Sequence, residues 1–327
     1  AAWIALGLAP GAWAQADSVV RLVRVEPLPK VGKGDFDQFA VDLKRGRLFL
    51  SAEASGQIEV FDLKSGVLIR SGGDIRTPHR LAVDETTGRL FAADGGDASV
   101  KVFDETLRLI KRIPVGADPD GGVYDASRRI FYVGARTDGS PDAPSSIAAI
   151  STATMAVEGS TPIPAHTLKD MIIDRPTGRL YVSMRDKNEV GVVPLAGGAL
   201  RTFSASGMNQ NVPLALDARR RLLFVGARKP GKLFVLDADD GRTLAAFDCT
   251  DVSDSMAYDA RSQRLLVTGV DGLSVFNVHG TAQVTPVGLD AQVEGKSSLY
   301  VPSLHRLYVA RPRSDTQAAA LEVYEIR

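Results

Sequence analysis

Four arginines follow similar apolar strings, and the chemistry of arginine at such positions is anion binding. The strings are FYVGAR (131 to 136), LYVSMR (180 to 185), LFVGAR (223 to 228) and LYVARPR (307 to 313), which contain Arg136, Arg185, Arg228 and Arg311. A guanidinium group is planar and can donate two parallel hydrogen bonds to a carboxylate or phosphate group. If the four string ends share one face, they predict a site for an anionic ligand. The alternative is that these arginines form ion pairs with Asp120, Asp170 and Asp254.

Two histidines lie in polar segments that could supply acid-base chemistry. His79 belongs to RTPHR (76 to 80), and His166 and Asp170 belong to AHTLKD (165 to 170). Histidine changes its charge near neutral pH, so either residue can act as a general base. We therefore include His79, His166 and Asp170 with the arginines as candidate ligand-binding residues.

Carboxylates recur in the same kind of polar segment. Converging carboxylate oxygens are the ligands that Ca²⁺ or Mg²⁺ takes in proteins. The alternative is that acidic and basic groups satisfy one another around a water-filled opening. The candidate metal ligands are Asp35, Asp120, Asp170 and Asp254.

The elements that must position these residues are defined by an internal repeat. An apolar-x-Asp-turn-Arg-apolar pattern recurs every 41 to 49 residues, and its anchor positions are Asp42, Asp84, Asp125, Asp174, Asp217, Asp259 and Pro302. Examples are LAVDETTGRLFAA (81 to 93) and MIIDRPTGRLYVS (171 to 183). A fixed period of this length indicates a repeat architecture, and seven units leave no room for a second domain.

Each repeat predicts four short strands. The anchor pattern describes one hairpin, and strings with period-two alternation, such as QIEVFDLKSGVLIRS (57 to 71), describe a second. Four-stranded antiparallel sheets with two apolar faces are covered when they stack radially. We therefore predict an all-β, seven-bladed β-propeller. SVVRLVRVEPL (18 to 28) should complete the last blade beside LEVYEI (321 to 326).

Composition and the first residues limit the function classes. Charge is balanced, with 39 basic and 39 acidic residues, which disfavours nucleic acid as a partner. The lone cysteine, Cys249, excludes an intramolecular disulfide and a multi-cysteine metal site.

The first residues predict export. Residues 1 to 16 are uncharged and end in Ala-Gln-Ala, which predicts signal-peptide cleavage after Ala16, with a short membrane anchor as the alternative. We expect 17 to 327 to be one periplasmic or secreted domain without a membrane span.

The repeat strings resemble those of a known family. TPHRLAVDETTGRLFAA, PVGADPDGGVYD and RLLFVGARKPGKLFVLDADDGRTLAAF, with the closing RLYVARP and LEVYEI, are similar to the YVTN-repeat (YncE-like) propellers of exported bacterial proteins. The resemblance implies a secreted propeller with a role in binding a ligand or a macromolecule. Blade 3 is longer than the others, and blade 7 has Pro302 in place of the anchor aspartate.

These observations favour a monomeric binding module over an enzyme. The face at which the central channel of the propeller opens should bind a small anionic molecule or a partner protein. The insertion RTDGSPDAPS (136 to 145) should lie over the arginines as a partial lid. The alternative is a metal-dependent enzyme, resembling propeller lactonases or lyases, with its site at the channel mouth. No Gly-x-Ser-x-Gly elbow or His-x-x-x-His pair supports that alternative.

Overall fold

The computed structural model describes residues 19 to 280 and 282 to 327, and the predicted signal segment lies outside them. The described chain is built almost entirely of short strands. Blades 1 to 3 contain β2 (Phe39–Asp42), β3 (Arg47–Ala52), β4 (Gln57–Asp62), β5 (Leu68–Gly72), β6 (Pro78–Asp84), β7 (Arg89–Asp94), β8 (Ser99–Phe103), β9 (Leu109–Pro114), β10 (Gly122–Asp125), β11 (Ile130–Arg136), β12 (Ser145–Ser151) and β13 (Ala156–Ile163).

The same pattern continues to the end of the chain, with three short 3-10 turns at Glu53–Ser55, Gly95–Asp97 and Pro302–Leu304. Blades 4 to 7 contain β14 (Leu168–Asp174), β15 (Arg179–Met184), β16 (Glu189–Pro194), β17 (Arg201–Phe203), β18 (Asn211–Asp217), β19 (Leu222–Arg228), β20 (Gly231–Asp237), β21 (Thr243–Asp248), β22 (Ser255–Asp259), β23 (Arg264–Gly269), β24 (Gly272–His279), β25 (Gln283–Asp290), β26 (Ser297–Val301), β27 (Arg306–Arg311), β28 (Ala320–Ile326) and β1 (Val20–Pro27).

The strands form seven four-stranded antiparallel sheets, which confirms the predicted all-β propeller. In blades 1 to 6 the strands follow chain order, whereas the order in blade 7 is β26-β27-β28-β1. Val20 pairs with Ile326 and Pro27 pairs with Ala320. The first strand of the described chain therefore closes the ring beside the last strand, as the sequence predicts.

The hydrophobic core lies between blades. Each of seven apolar clusters in the described residues joins the facing sides of two neighbouring blades, including blades 7 and 1. At the junction of blades 7 and 1, Phe61 and Tyr308 are fully buried in one cluster. Burying a large apolar side chain contributes about 1.5–3 kcal/mol, so each junction stabilises both blades that it joins.

The anchor aspartates explain why the repeat pattern is so regular. Each ends the first strand of its blade, and five of the six accept backbone N–H groups of the next turn, as Asp125 does from Ser127 at 3.0 Å. Asp174 instead accepts from the Thr177 hydroxyl. Several also bind a cation from the following blade: Arg129 contacts Asp84 at 2.5 Å, and Arg175 contacts Asp125 at 3.4 Å. The anchors therefore fasten neighbouring blades on the face that we call the turn face.

The opposite face is the mouth face. It carries the segments that lead into the first strand of each blade and the loops between second and third strands. Among the described residues, no helix has the length and apolar character required to cross a membrane.

Candidate functional site

The four candidate arginines lie on the mouth face. Arg136, Arg228 and Arg311 end the second strands of blades 3, 5 and 7, and Arg185 directly follows the second strand of blade 4. The repeat therefore brings equivalent string ends to one side of the disk. Their environments differ, however, because the neighbouring loops supply different partners.

Local irregularities aim the polar side chains of the entry segments at the channel. The first strands of blades 2 and 4 shift register between Pro78 and Leu81 and between Leu168 and Met171. A β-bulge changes the direction of the side chains that it contains. The two bulges hold His79 and Arg80 in blade 2 and Lys169 and Asp170 in blade 4.

Ion pairs connect these side chains across blades. His79 Nδ1 lies 2.7 Å from Oδ2 of Asp37, which belongs to the blade 1 entry segment. Lys169 contacts Asp120 of blade 3, and Arg80 of blade 2 contacts Asp170 of blade 4. The last pair spans two blades, so the polar side chains meet around a narrow channel.

A glycine pair in blade 3 leaves space for this network. A Cβ on Gly121 would lie 1.8 Å from the Lys169 carbonyl oxygen, and one on Gly122 would lie 3.4 Å from the Arg80 side chain. No larger residue fits at Gly121 without backbone movement. The close approach of blades 3 and 4 at Gly121 brings Lys169 to Asp120.

The network holds His79 in its protonated form. Burial alone would lower the pKa of His79, but the hydrogen bond to Asp37 and the negative charges of Asp120, Asp37 and Glu53 raise it to about 9. Burial would raise the pKa of Asp37, and the hydrogen bond and positive charge of His79 lower it below its usual value. At neutral pH the pair is an imidazolium and a carboxylate, so His79 is a hydrogen-bond donor rather than a free base.

Two of the candidate arginines are held by nearly buried carboxylates. Arg228 contacts Asp254, and their side chains are 13% and 10% exposed. Burial raises the pKa of Asp254, and the charge of Arg228 opposes that rise. Arg311 Nε lies 2.7 Å from Glu322, and Arg311 also donates to the Ala318 carbonyl at 3.1 Å. Both guanidinium groups are therefore already occupied.

The other two arginines are more available. Arg136 contacts Asp118 at 3.2 Å, and Asp118 is half exposed to solvent. Arg185 has no carboxylate of the described residues within ion-pair distance. Arg185 also lies close to Lys169. Asp120 and Asp37 raise the pKa of Lys169, and the positive charge of Arg185 opposes this rise. Arg185 is thus an uncompensated cation beside a second cation.

His166 lies near Arg185. The Arg185 backbone N–H donates to the Thr167 carbonyl at 3.0 Å, and Thr167, His166 and Arg136 line one shallow pocket with Asp118 and Asp120. His166 Nδ1 is 3.2 Å from the carbonyl of Ala143 in the blade 3 insertion. The insertion therefore contacts the edge of this pocket.

The predicted metal ligands are separately paired. Asp35 contacts Lys296 at 2.9 Å, while Asp120, Asp170 and Asp254 contact Lys169, Arg80 and Arg228. The group of metal-binding side chains in the described chain consists of Asp37, His79 and Asp120, whose ligand atoms lie within 4.8 Å of one another. Asp120 is the only member of the predicted set in it. A cation there must displace the proton of His79 and the ammonium of Lys169.

Sequence reasoning did not assign a site role to Arg80, Lys169 or Asp37. All three lie in the polar entry segments, which was the available signal. Their pairing depends on distances between blades that are remote in sequence. Glu53, in the loop of blade 1, also belongs to this environment, because burial raises its pKa and Asp37, Asp120 and Asp35 add to the rise.

No protein-family model and no curated protein matches this chain. Among solved structures, a chain of the "Crystal Structure of Mitotic Checkpoint Complex" matches with a TM-score of 0.75 and 15% sequence identity. The match covers 99% of this chain and 98% of that chain. At this identity the likeness shows the fold alone, a WD40-like seven-bladed propeller.

Proposed function

We propose that this propeller is a non-catalytic binding module whose mouth face recognises one anionic group, carried by a small molecule or by the acidic side chain of a partner protein. The observation that carries the proposal is the uncompensated charge of Arg185 beside Lys169. Lys169 is paired with Asp120, whereas Arg185 has no carboxylate partner among the described residues, so its charge can attract an anion. Arginine binds carboxylate or phosphate through two hydrogen bonds.

The surroundings of Arg185 limit the size of the anion. Arg228 and Arg311 are paired with Asp254 and Glu322, so they add no free positive charge. Arg136 and His166 line the adjoining pocket, and the half-exposed Asp118 can turn away from Arg136 when a stronger acceptor arrives. The site therefore suits one carboxylate or phosphate group between blades 3 and 4 rather than an extended polyanion.

Binding of simple anions tests the proposal. Phosphate, citrate, succinate and a short glutamate-rich peptide are titrated into the native protein, the Arg185→Ala variant and the Lys187→Ala variant, and affinity is measured by calorimetry. Lys187 is a matched control because it is 43% exposed and lies two residues from Arg185. Arg185→Ala should weaken binding about tenfold or more, since a hydrogen bond to a charged group contributes about 1.5–3 kcal/mol. Equal binding by all three proteins contradicts the proposal.

Export and family membership are part of the same proposal. The likeness of the repeat strings to exported YVTN-repeat propellers supports a periplasmic or secreted module. N-terminal sequencing of the protein recovered from a periplasmic fraction should begin at Asp17. The solved propeller described above belongs by its title to a protein complex, which supports a partner protein as the source of the anionic group.

A metal-dependent enzyme is the second candidate, and the Asp37, His79 and Asp120 group favours it. Calorimetric titration with Ca²⁺, Mg²⁺ and Zn²⁺ at pH 6 and pH 9 tests this candidate. Binding through His79 should strengthen as pH rises, because the imidazole must lose its proton. Absence of binding for all three ions at both pH values excludes a metal at this group.

A further inference from the structure

The turns between first and second strands, on the turn face, contain twice as many basic as acidic residues although the whole chain is neutral. The seven turns between first and second strands cover residues 42–47, 84–89, 125–130, 174–179, 217–222, 259–264 and 301–306. Together they contain fourteen arginines and lysines but seven aspartates and glutamates. The turns nearest the channel on this face are therefore basic.

Most of the acidic groups in these turns are hidden. Six of the seven are the anchor aspartates, which are at most 5% exposed and are engaged by backbone N–H groups or arginines. The exposed charge at the tips of the turns is consequently positive. It belongs to five residues, which we call the turn ring: Lys44, Arg128, Arg175, Arg219 and Arg261.

Solvent can reach every member of the turn ring. The Arg128 and Arg175 side chains are 50% and 59% exposed, and both contact the buried Asp125 only loosely, at 3.9 and 3.4 Å. Lys44, Arg219 and Arg261 are exposed and have no ion pair among the described residues. Apart from the Arg175–Asp125 contact, these cations do not fasten blades together, in contrast to Arg129 and Arg221.

The repeat places the members of the turn ring on one face. Each member lies one to three residues after the anchor of its blade, in blades 1, 3, 4, 5 and 6. Corresponding turns of units arranged around an axis lie at the same end of that axis, so the five cations can approach one surface together. Leu43, which is 53% exposed beside Lys44, adds an apolar side chain at the same level.

The composition of the turns selects the kind of anionic partner. None of the seven turns contains Phe, Tyr or Trp, the side chains on which nucleic-acid bases most often stack. Separate cations around a ring on one face match the phosphates of a lipid surface, and each Lys or Arg near an anionic bilayer adds to binding. We propose that the turn ring docks this propeller on an anionic lipid bilayer, which leaves the mouth face directed away from the lipid.

Vesicle co-sedimentation tests the docking. The native protein is mixed with phosphatidylcholine vesicles that contain 0 or 30% phosphatidylserine, at low and high salt. A ring variant replaces Lys44, Arg128, Arg175, Arg219 and Arg261 with Gln. Its control replaces five cations outside the turn ring with Gln: Lys30, Lys33, Lys111, Lys187 and Lys229. Circular dichroism confirms that both variants are folded.

We expect the native protein to bind the anionic vesicles and high salt to weaken this binding. The control variant should retain the binding, whereas the ring variant should bind about tenfold or more weakly. If the ring variant does not fold, the triple charge reversal K44E/R219E/R261E replaces it, because these residues have no ion pairs to lose. Failure of the native protein to bind, or equal loss in ring and control variants, overturns the proposal. So does binding to duplex DNA that is tighter than binding to the anionic vesicles and that the ring variant loses.

Discussion

The guanidinium of Arg221 in blade 5 donates to the carboxylate of Asp174 in blade 4 at 2.7 Å, and Asp174 is completely buried. Thr177 of blade 4 also donates to this carboxylate at 2.5 Å. The contact joins the anchor of one repeat to the turn of the next. It shows that the most regular residue of the repeat serves the junction between blades as well as its own turn.

Loss of this junction should destabilise the protein. Arg221→Ala leaves the Asp174 carboxylate buried without its cation, and removing one partner of a buried pair costs about 3 kcal/mol or more. The free energy of unfolding measured by urea titration should fall by that amount. Arg219→Ala, on the same turn but exposed, should change it by less than about 0.5 kcal/mol. Equal effects of the two changes would show that Asp174 does not depend on Arg221.

The channel network predicts a pH dependence of stability. The pKa of His79 rises from 6.5 to about 9 on folding, so protonation of His79 favours the folded state. This contribution is fully present below pH 6.5 and disappears as pH rises through about 9. Between these values the native protein should lose more stability than His79→Gln does.

A spectroscopic titration tests the cause of that dependence. NMR of the His79 ring should follow a pKa near 9 in the native protein, because the hydrogen bond to Asp37 is the largest of the effects that raise it. Asp37→Asn should move the pKa of His79 downward. An unchanged titration in Asp37→Asn would mean that Asp37 does not hold the proton on His79.

Alanine substitutions at Arg185 and Arg228 should have different effects on the stability of the protein. Arg228 is 13% exposed against a nearly buried Asp254, so Arg228→Ala should lower the free energy of unfolding by about 3 kcal/mol. Arg185→Ala breaks no ion pair among the described residues and should change it by less than about 1 kcal/mol. Thermal and urea unfolding measure both. A large destabilisation by Arg185→Ala would indicate a structural role and remove the basis for an anion site there.

Gly121 tests the tight approach of blades 3 and 4. Gly121→Ala places a Cβ against the Lys169 carbonyl and should cost more than about 2 kcal/mol, since backbone must move to accept it. Gly139→Ala is the matched control in blade 3, because a Cβ there meets no atom within 4 Å. The two free energies of unfolding are compared, and the Lys169–Asp120 contact is followed by the crystal structure of the alanine variant. A harmless Gly121→Ala would contradict the close packing.

The architecture could be predicted from sequence because it depends on a period. Anchors such as Asp84 and Asp217 recur with the strand pattern, and each repeat can be recognised from its own residues. The N-terminal strand could be assigned to blade 7 because it had no repeat of its own and the last repeat lacked one strand. Both inferences use patterns within the sequence and require no knowledge of the distances between residues in the fold.

The channel contacts could not be predicted in the same way. Arg80 and Asp170 are 90 residues apart and belong to non-adjacent blades, so their contact follows from the closed ring and not from the repeat pattern. The sequence pattern placed Arg185 and Arg228 in equivalent positions, yet only Arg228 meets a carboxylate. Which of two equivalent side chains finds a partner depends on the loop of the next blade, and loops do not follow the period.

The pairing of Val20 with Ile326 also bears on how the protein reaches its native state. These strands are separated by almost the whole chain, so their ladder is the contact with the highest entropic cost of loop closure and should form late in folding. During synthesis, the N-terminal strand β1 is made first and has no partner until β28, the last strand of the chain, has been made. Once the ring is closed, it opens only by breaking all the hydrogen bonds between the first and last strands. The lifetime of the native protein should therefore be governed by the rate at which these two strands separate.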